Sequence, residues 1–171
     1  MKSNHQATPI KPWLLLRQQP WRFDFWLALG LGSGLSPIAP GTCGTLLAVL
    51  GYCLLMQLGF QWFLTVTLFS CLIGVWLCHT TAVALGEHDH KAIVWDEVAG
   101  YWLTMAWLPN HWLWITIGFC LFRLFDIVKP FPIKWVDQHC PGGWGIMLDD
   151  VLAGFIAGVV GHLLLALTVF S

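Results

Sequence analysis

Glu87-His88-Asp89-His90-Lys91-Ala92-Ile93-Val94-Trp95-Asp96-Glu97 packs four carboxylates, two imidazoles and one ammonium into eleven residues of a chain that is only 10% charged. Around it charge almost vanishes: no Asp, Glu, Lys or Arg occurs from Phe25 to Gly86 or from Val98 to Phe122. Two carboxylates about 4 Å apart repel by roughly 4 kcal/mol at an effective dielectric near 20. A group of them beside apolar helices therefore calls for protonation or for a cation. The acidic island between apolar runs sets two expectations, helices in a membrane and a hard divalent metal at the membrane surface.

Composition supports the first. A hydrophobic content of 57%, a mean hydropathy of +0.70 and twelve Trp lie far from an average soluble domain. The length, 171 residues, suits one domain. Net charge is −1 and no basic stripe exists to displace counterions, which argues against a nucleic-acid partner. The six cysteines (43, 53, 71, 78, 120, 140) sit mostly in apolar runs with no C-x-x-C pair, so they read as small hydrophobes. The first apolar run, Trp13 to Leu16, is too short for a cleaved leader, and none is expected.

Upstream of the island, residues 1–29 form an amino-terminal segment that mixes Trp13, Trp21, Phe23 and Trp26 with Arg17, Arg22 and Asp24. It suits either the cytoplasmic headgroup region or an amphipathic helix packed on the domain. Residues 30–171 read as a single helical membrane domain. Gly30 to Thr45 holds five Gly, two Pro and four hydroxyl residues and reads as a loop, with Thr42 as N-cap of the apolar run that starts at Gly44. Free amides of that first turn suit an anion, so Ser36, Gly41 and Thr42 are candidates for contact with a phosphate. Gly44–Leu58 and Trp62–Cys78 read as one helical hairpin, and Val98–Leu108 and Trp112–Phe122 as a second. The second hairpin either reaches across by continuing into its charged flanks or is re-entrant. Val151–Phe170 is the best single crossing, preceded by a loop at Pro141–Gly145 and by Asp149-Asp150. The expected fold is all-α, with two helical hairpins plus a C-terminal transmembrane helix.

All seventeen charges fall in three blocks, 1–24, 87–97 and 123–150, each separated from the next by a hairpin that goes out and returns. The blocks therefore share one face. The first holds four Lys/Arg against one Asp, which makes that face cytoplasmic by the positive-inside rule.

The chemistry lies in these blocks. Asp96 has Ala99 and Gly100 at i+3 and i+4, and Asp150 has Ala153 and Gly154 at the same offsets. Each acid thus sits above small residues on its helix face, leaving room for a ligand or for another backbone. Arg123 and Asp126 share one helical face, as an ion pair or as a phosphate fork beside a metal ligand, with Lys129-Pro130 ending the helix. Lys134 and Asp137 look peripheral. His88 or His90 could protonate a leaving alkoxide or bind metal. An oxygen-rich acidic set selects magnesium or manganese over zinc. With cations and an amide-rich loop beside it, such a set indicates phosphoryl chemistry. No thiol-phosphatase C-x5-R, no histidine lipid phosphatase signature and no acidic run of the CDP-alcohol phosphotransferases occurs. A phosphotransferase using a nucleotide-activated lipid and a cation transporter or scaffold remain as alternatives. Against transport, no apolar run carries a charge.

Leu35-Ser36-Pro37 with Pro40-Gly41-Thr42, Ile93-Val94-Trp95-Asp96-Glu97 with Gly100, Phe122-Arg123-Leu124-Phe125-Asp126 with Lys129-Pro130-Phe131-Pro132-Ile133, and Asp149-Asp150 with Ala153-Gly154 together resemble the phosphatidylglycerophosphatase A family. The resemblance runs from about Gly30 to Gly154. It implies an all-helical, Mg2+-dependent phosphatase of the bacterial inner membrane, acting on phosphatidylglycerophosphate to give phosphatidylglycerol, the precursor of cardiolipin. Carried over position by position, it implies Asp89, Asp96, Glu97, Asp126, Asp149 and Asp150 as metal-site acids beside Arg123 and Lys129. Asp96, Glu97, Asp149, Asp150 and His88 are the expected catalytic residues. Arg123, Lys129, Ser36, Gly41 and Thr42 are expected at the substrate, with water or an aspartate as nucleophile.

Overall fold

A computed structural model describes residues 10–169, and within them every regular element is helical. Two short helices, α1 (Pro12–Gln18) and α2 (Phe23–Ala28), lead through a 3-10 turn at Gly30–Leu35 into α3 (Pro40–Met56) and α4 (Phe60–Leu85). After the acidic stretch come α5 (Trp95–Met105), α6 (Trp112–Val128), α7 (Ile133–His139) and α8 (Gly142–Val169).

Short, buried α5 is the axis of the bundle. Four of its side chains donate hydrogen bonds to backbone carbonyls, each on a different neighbour. Trp95 Nε1 reaches Ser70 O of α4 (3.2 Å), Trp102 Nε1 reaches Ala48 O of α3 (2.8 Å), Tyr101 Oη reaches Ile115 O of α6 (3.2 Å), and Thr104 Oγ1 reaches Gly154 O of α8 (3.2 Å). Indole, phenol and hydroxyl groups need partners when buried, and here those partners fix where each surrounding helix lies. Tyr101, Met105, Phe122 and Ala153 fill the core between them.

The crossing of α5 and α8 decides the site. A Cβ on Gly154 would run into the Gly100 carbonyl, and one on Gly100 would meet the Asp150 carbonyl and the Phe122 ring. The small residues behind each acid thus serve a second backbone, as in close-packed membrane helices. Asp96 and Asp150 each lie one turn before the crossing glycine of their own helix. They are brought side by side as a result.

Several boundaries differ from the sequence reading: α4 runs on past Cys78 to Leu85 and α6 past Phe122 to Val128, α5 starts at Trp95 before Val98, and two helix starts change the reading of the site. Helix α3 starts at Pro40, after Ala39 in a left-handed conformation (φ 50°), so Thr42 lies inside the first turn and is not the N-cap. Proline has the φ of a helix and no N–H to leave unpaired, which makes it a natural first residue. Likewise α8 begins at Gly142, so Pro141–Gly145 is no loop and Asp149-Asp150 lies about two turns into the helix. Its glycines mark close packing: a Cβ on Gly143 would strike the Val75 carbonyl of α4.

Helices α4 and α8, with 26 and 28 residues, are long and apolar enough to cross a membrane. At 1.5 Å per residue α5, with 11 residues, reaches only about 16 Å and cannot cross a core of roughly 30 Å. Large apolar side chains stand exposed along the outer faces, among them Leu50 and Leu54 on α3, Phe69 and Leu72 on α4, and Leu163 and Leu167 on α8. That is the surface expected against hydrocarbon. The amino-terminal segment shares a small core with α4, where Leu15, Leu16 and Phe25 meet Cys78, Ala82 and Leu85, while Trp21 and Phe23 stay exposed. All six cysteines are free, as their setting predicts. Phe170, the last residue of the expected final crossing, lies outside the described residues.

Candidate active site

Three elements deliver acids to one place. The first turn of α5 carries Asp96 and Glu97, the third turn of α8 carries Asp149 and Asp150, and the last turns of α6 carry Arg123 and Asp126. They line a cavity of about 270 Å³ together with Asp89 and Lys91 from the acidic stretch, Lys129 after α6, and Ala39, Pro40 and Gly41 at the start of α3. Asp96, Glu97 and Asp150 each offer a carboxylate oxygen, and the three oxygens lie within 4.8 Å of one another.

Cations bracket this trio. Arg123 Nη1 is 2.5 Å from Asp126 Oδ2 and 3.7 Å from Glu97 Oε1. Lys129 Nζ donates to Asp149 Oδ2 at 2.6 Å and to Asp137 Oδ1 at 2.7 Å. The backbone of Lys129 is left-handed (φ 45°), which ends α6 before Pro130 and turns the ammonium back toward α8. Gly41 closes the front: a Cβ there would collide with Glu97 Oε1 and crowd the Arg123 guanidinium.

The electrostatics match a cation site. Burial first, then the Glu97 and Asp149 charges, pushes the Asp96 carboxyl well above the usual range. Burial and the charges of Asp150 and Asp126 do the same for Glu97, with Arg123 opposing. Lys129 is also held above its ordinary range: burial disfavours its charge, but Asp149 and Asp137 outweigh that cost. Glu97 Oε2 and Asp149 Oδ1 are buried with no hydrogen-bond partner among the described residues. Buried carboxylate oxygens lacking partners, in an all-oxygen set, suit a hard divalent cation. An oxygen-rich donor set of this kind fits magnesium.

Other expected site residues are placed elsewhere. His88 accepts a hydrogen bond from Gly142 N at 2.7 Å and so covers the start of α8, outside the lining of the acidic cavity. His90 Nδ1 accepts from Ala92 N (3.1 Å), shaping the turn into α5. Ser36 Oγ donates to Ile38 O (2.8 Å), and neither Ser36 nor Thr42 lines the cavity, whereas Gly41 does. Asp137, which looks peripheral in the sequence, is a partner of Lys129. Lys91, the one ammonium of the acidic stretch, also lines the cavity.

Comparison with known proteins gives a consistent picture. The model of the phosphatidylglycerophosphatase A family matches residues 26–165. A phosphatidylglycerophosphatase A of Escherichia coli (strain K12) is 48% identical over 153 residues, covering 86% of this chain and 87% of the relative. One of Haemophilus influenzae is 48% identical over 136 residues, covering 78% and 83%. A Bacteroides thetaiotaomicron protein, provisionally named a phosphatidylinositol-3-phosphatase, is 40% identical over 137 residues, covering 75% and 84%. No solved structure matches the chain.

Proposed function

The chain belongs to the phosphatidylglycerophosphatase A family and is a phosphatase, and from this premise we propose that it hydrolyses phosphatidylglycerophosphate to phosphatidylglycerol and inorganic phosphate. One observation carries the reading: the oxygens of Asp96, Glu97 and Asp150 converge within 4.8 Å in a cavity that also presents Arg123 and Lys129. Asp96, Glu97 and Asp150 hold Mg2+, with Asp89, Asp126 and Asp149 as the acids around them. When bound, magnesium supplies positive charge that offsets the repulsion between a phosphoryl group and its nucleophile.

The remaining work falls to this chain's own groups. The Arg123 guanidinium, already turned to carboxylates in a planar fork, can grip two phosphate oxygens at once. Lys129 and Lys91 add point charges on the other sides of the cavity. Gly41 has no side chain, which lets the start of α3 lie directly against the Glu97–Arg123 pair. Water and an aspartate are both available as nucleophile.

The setting proposed is a bacterial inner membrane. Two hairpins, α3–α4 and α5–α6, and the final helix α8 are embedded, with all three charged blocks on the cytoplasmic face.

Counting phosphate released by the detergent-solubilised protein tests the reading. Release from phosphatidylglycerophosphate should require Mg2+ and stop with EDTA, and Asp96→Asn should lose about 10²-fold or more with its melting temperature kept. Undiminished release in EDTA would remove the metal from the reading, and release of CMP from a nucleotide-activated lipid would make the protein a phosphotransferase. Because the 40% identical relative carries another lipid's name, phosphatidylinositol 3-phosphate belongs in the same assay.

A further inference from the structure

We infer that the acyl chains of the lipid substrate leave the cavity between the first turn of α3 and the last turn of α6, past Ile127, onto an apolar rim formed by Ile38, Leu124, Val128 and Phe131. This rests on the lipid-phosphatase reading above. A cavity of about 270 Å³ is smaller than the roughly 300 to 1,000 Å³ that encloses a drug-sized ligand, so a phosphorylated headgroup fits and two acyl chains do not. The chains must lie outside, and the wall they pass has to be apolar.

Only part of the wall qualifies. On the α5 and α8 sides Asp96, Asp149 and Asp150 are buried, which closes the cavity there. Its exposed lining residues are the charged Asp89 and Lys91 and the apolar Ala39 and Ile127. The exposed rim is therefore charged where the acidic stretch reaches it and apolar at Ala39 and Ile127. Ile127 belongs to the cavity wall and is still 69% exposed. It lies at i+3 from Leu124 on α6, next to exposed Val128. Phe131, 83% exposed, follows Lys129 by two residues, and Ile38, 81% exposed, immediately precedes the lining residue Ala39. A phospholipid has the same polarity gradient, anionic at one end and hydrocarbon at the other. Its phosphate then meets Arg123 and Lys129, its tails rest on the apolar lip, and water and free phosphate pass the Asp89–Lys91 side.

The test measures phosphate release from long-chain phosphatidylglycerophosphate in mixed micelles as its mole fraction is varied. Ile127→Ser and Phe131→Ser should raise KM about five- to tenfold, with a smaller change in kcat, because each removes apolar contact with the chains. Leu163→Ser, exposed on α8 away from the cavity, should behave as the unsubstituted protein. In a second measurement on the unsubstituted protein, phosphatidylglycerol with a diazirine in its acyl chain should crosslink to residues 124–131 and 36–40, and unlabelled substrate should compete. Unchanged KM in both variants, an equal rise in Leu163→Ser, or crosslinks confined to the α4–α8 face would overturn the inference. Failure of the unsubstituted protein to release phosphate from the lipid would instead overturn the function on which it rests.

Discussion

Lys129 ties the acidic site together, bonded to Asp149 on one side and Asp137 on the other. Some of this neighbourhood was legible in the sequence. Arg123 and Asp126 are three residues apart on an uninterrupted helix, and they pair in the structure. Asp137 was not legible, since its link to Lys129 runs through a left-handed residue and the Pro130–Pro132 turn, where helical spacing says nothing about proximity. Replacing Lys129 by Met should cost about 10²- to 10³-fold in phosphate release, as loss of a group facing transition-state charge does. Asp137→Asn, acting only through Lys129, should cost about tenfold, and steady-state kinetics on both variants checks the order. A second prediction concerns Asp96 and Glu97, whose carboxyls are held above their ordinary range by burial and by neighbouring acids. The folded state then binds more protons than the unfolded one, so stability falls as pH rises above the usual carboxylate range. Under the proposed function Mg2+ would take the place of those protons. Melting temperature in EDTA should drop between pH 5 and pH 8, and Mg2+ should restore it most at the higher pH.

At the level of elements, the crossing of α5 and α8 sets the geometry that the acids use. The repeated pattern of acid, then Ala and Gly three and four residues on, was visible in the sequence, and the structure places a second backbone over the small residues. The start of α8 was not visible, because Gly142, Gly143 and Gly145 carry the composition of a turn while serving close packing against α4 and the end of α7. Composition cannot separate those two uses of glycine. Gly154→Ala should force α5 and α8 apart and destabilise the protein by about 1 to 3 kcal/mol, with activity lost in step, since the three converging carboxylate oxygens of the proposed metal site come from these two helices. Thr104→Val removes only the hydroxyl that bridges Gly100 and Gly154, and should cost about 0.6 kcal/mol, a typical value for such a bond in membrane proteins. Thermal melts in detergent, read beside phosphate release, separate the two effects.

Across the whole molecule, charge and length together dictate how the chain lies in a bilayer. Among the described residues the charged blocks converge at one end of the bundle: blocks 87–97 and 123–150 build the cavity itself, and α1 and α2, which carry Arg17 and Asp24, pack against the end of α4. Burying any of these blocks in hydrocarbon costs about 2.5 to 3.5 kcal/mol per charge near the centre, so the end of the bundle that holds them must face water. From that end α4 and α8 can cross, α3 and α6 reach about 26 Å each, and α5 stops part-way, its far end covered by its neighbours. In the topology proposed above the charged blocks are cytoplasmic, and the α3–α4 turn and the end of α8 reach the opposite side. In a background with the six native cysteines replaced, Lys91→Cys and Lys134→Cys should react with a membrane-impermeant maleimide only in inside-out vesicles. A cysteine appended after Ser171 should react only in right-side-out cells. Labelling of Lys91→Cys from the outside would invert the arrangement and remove the site from the leaflet in which its lipid is proposed to be met.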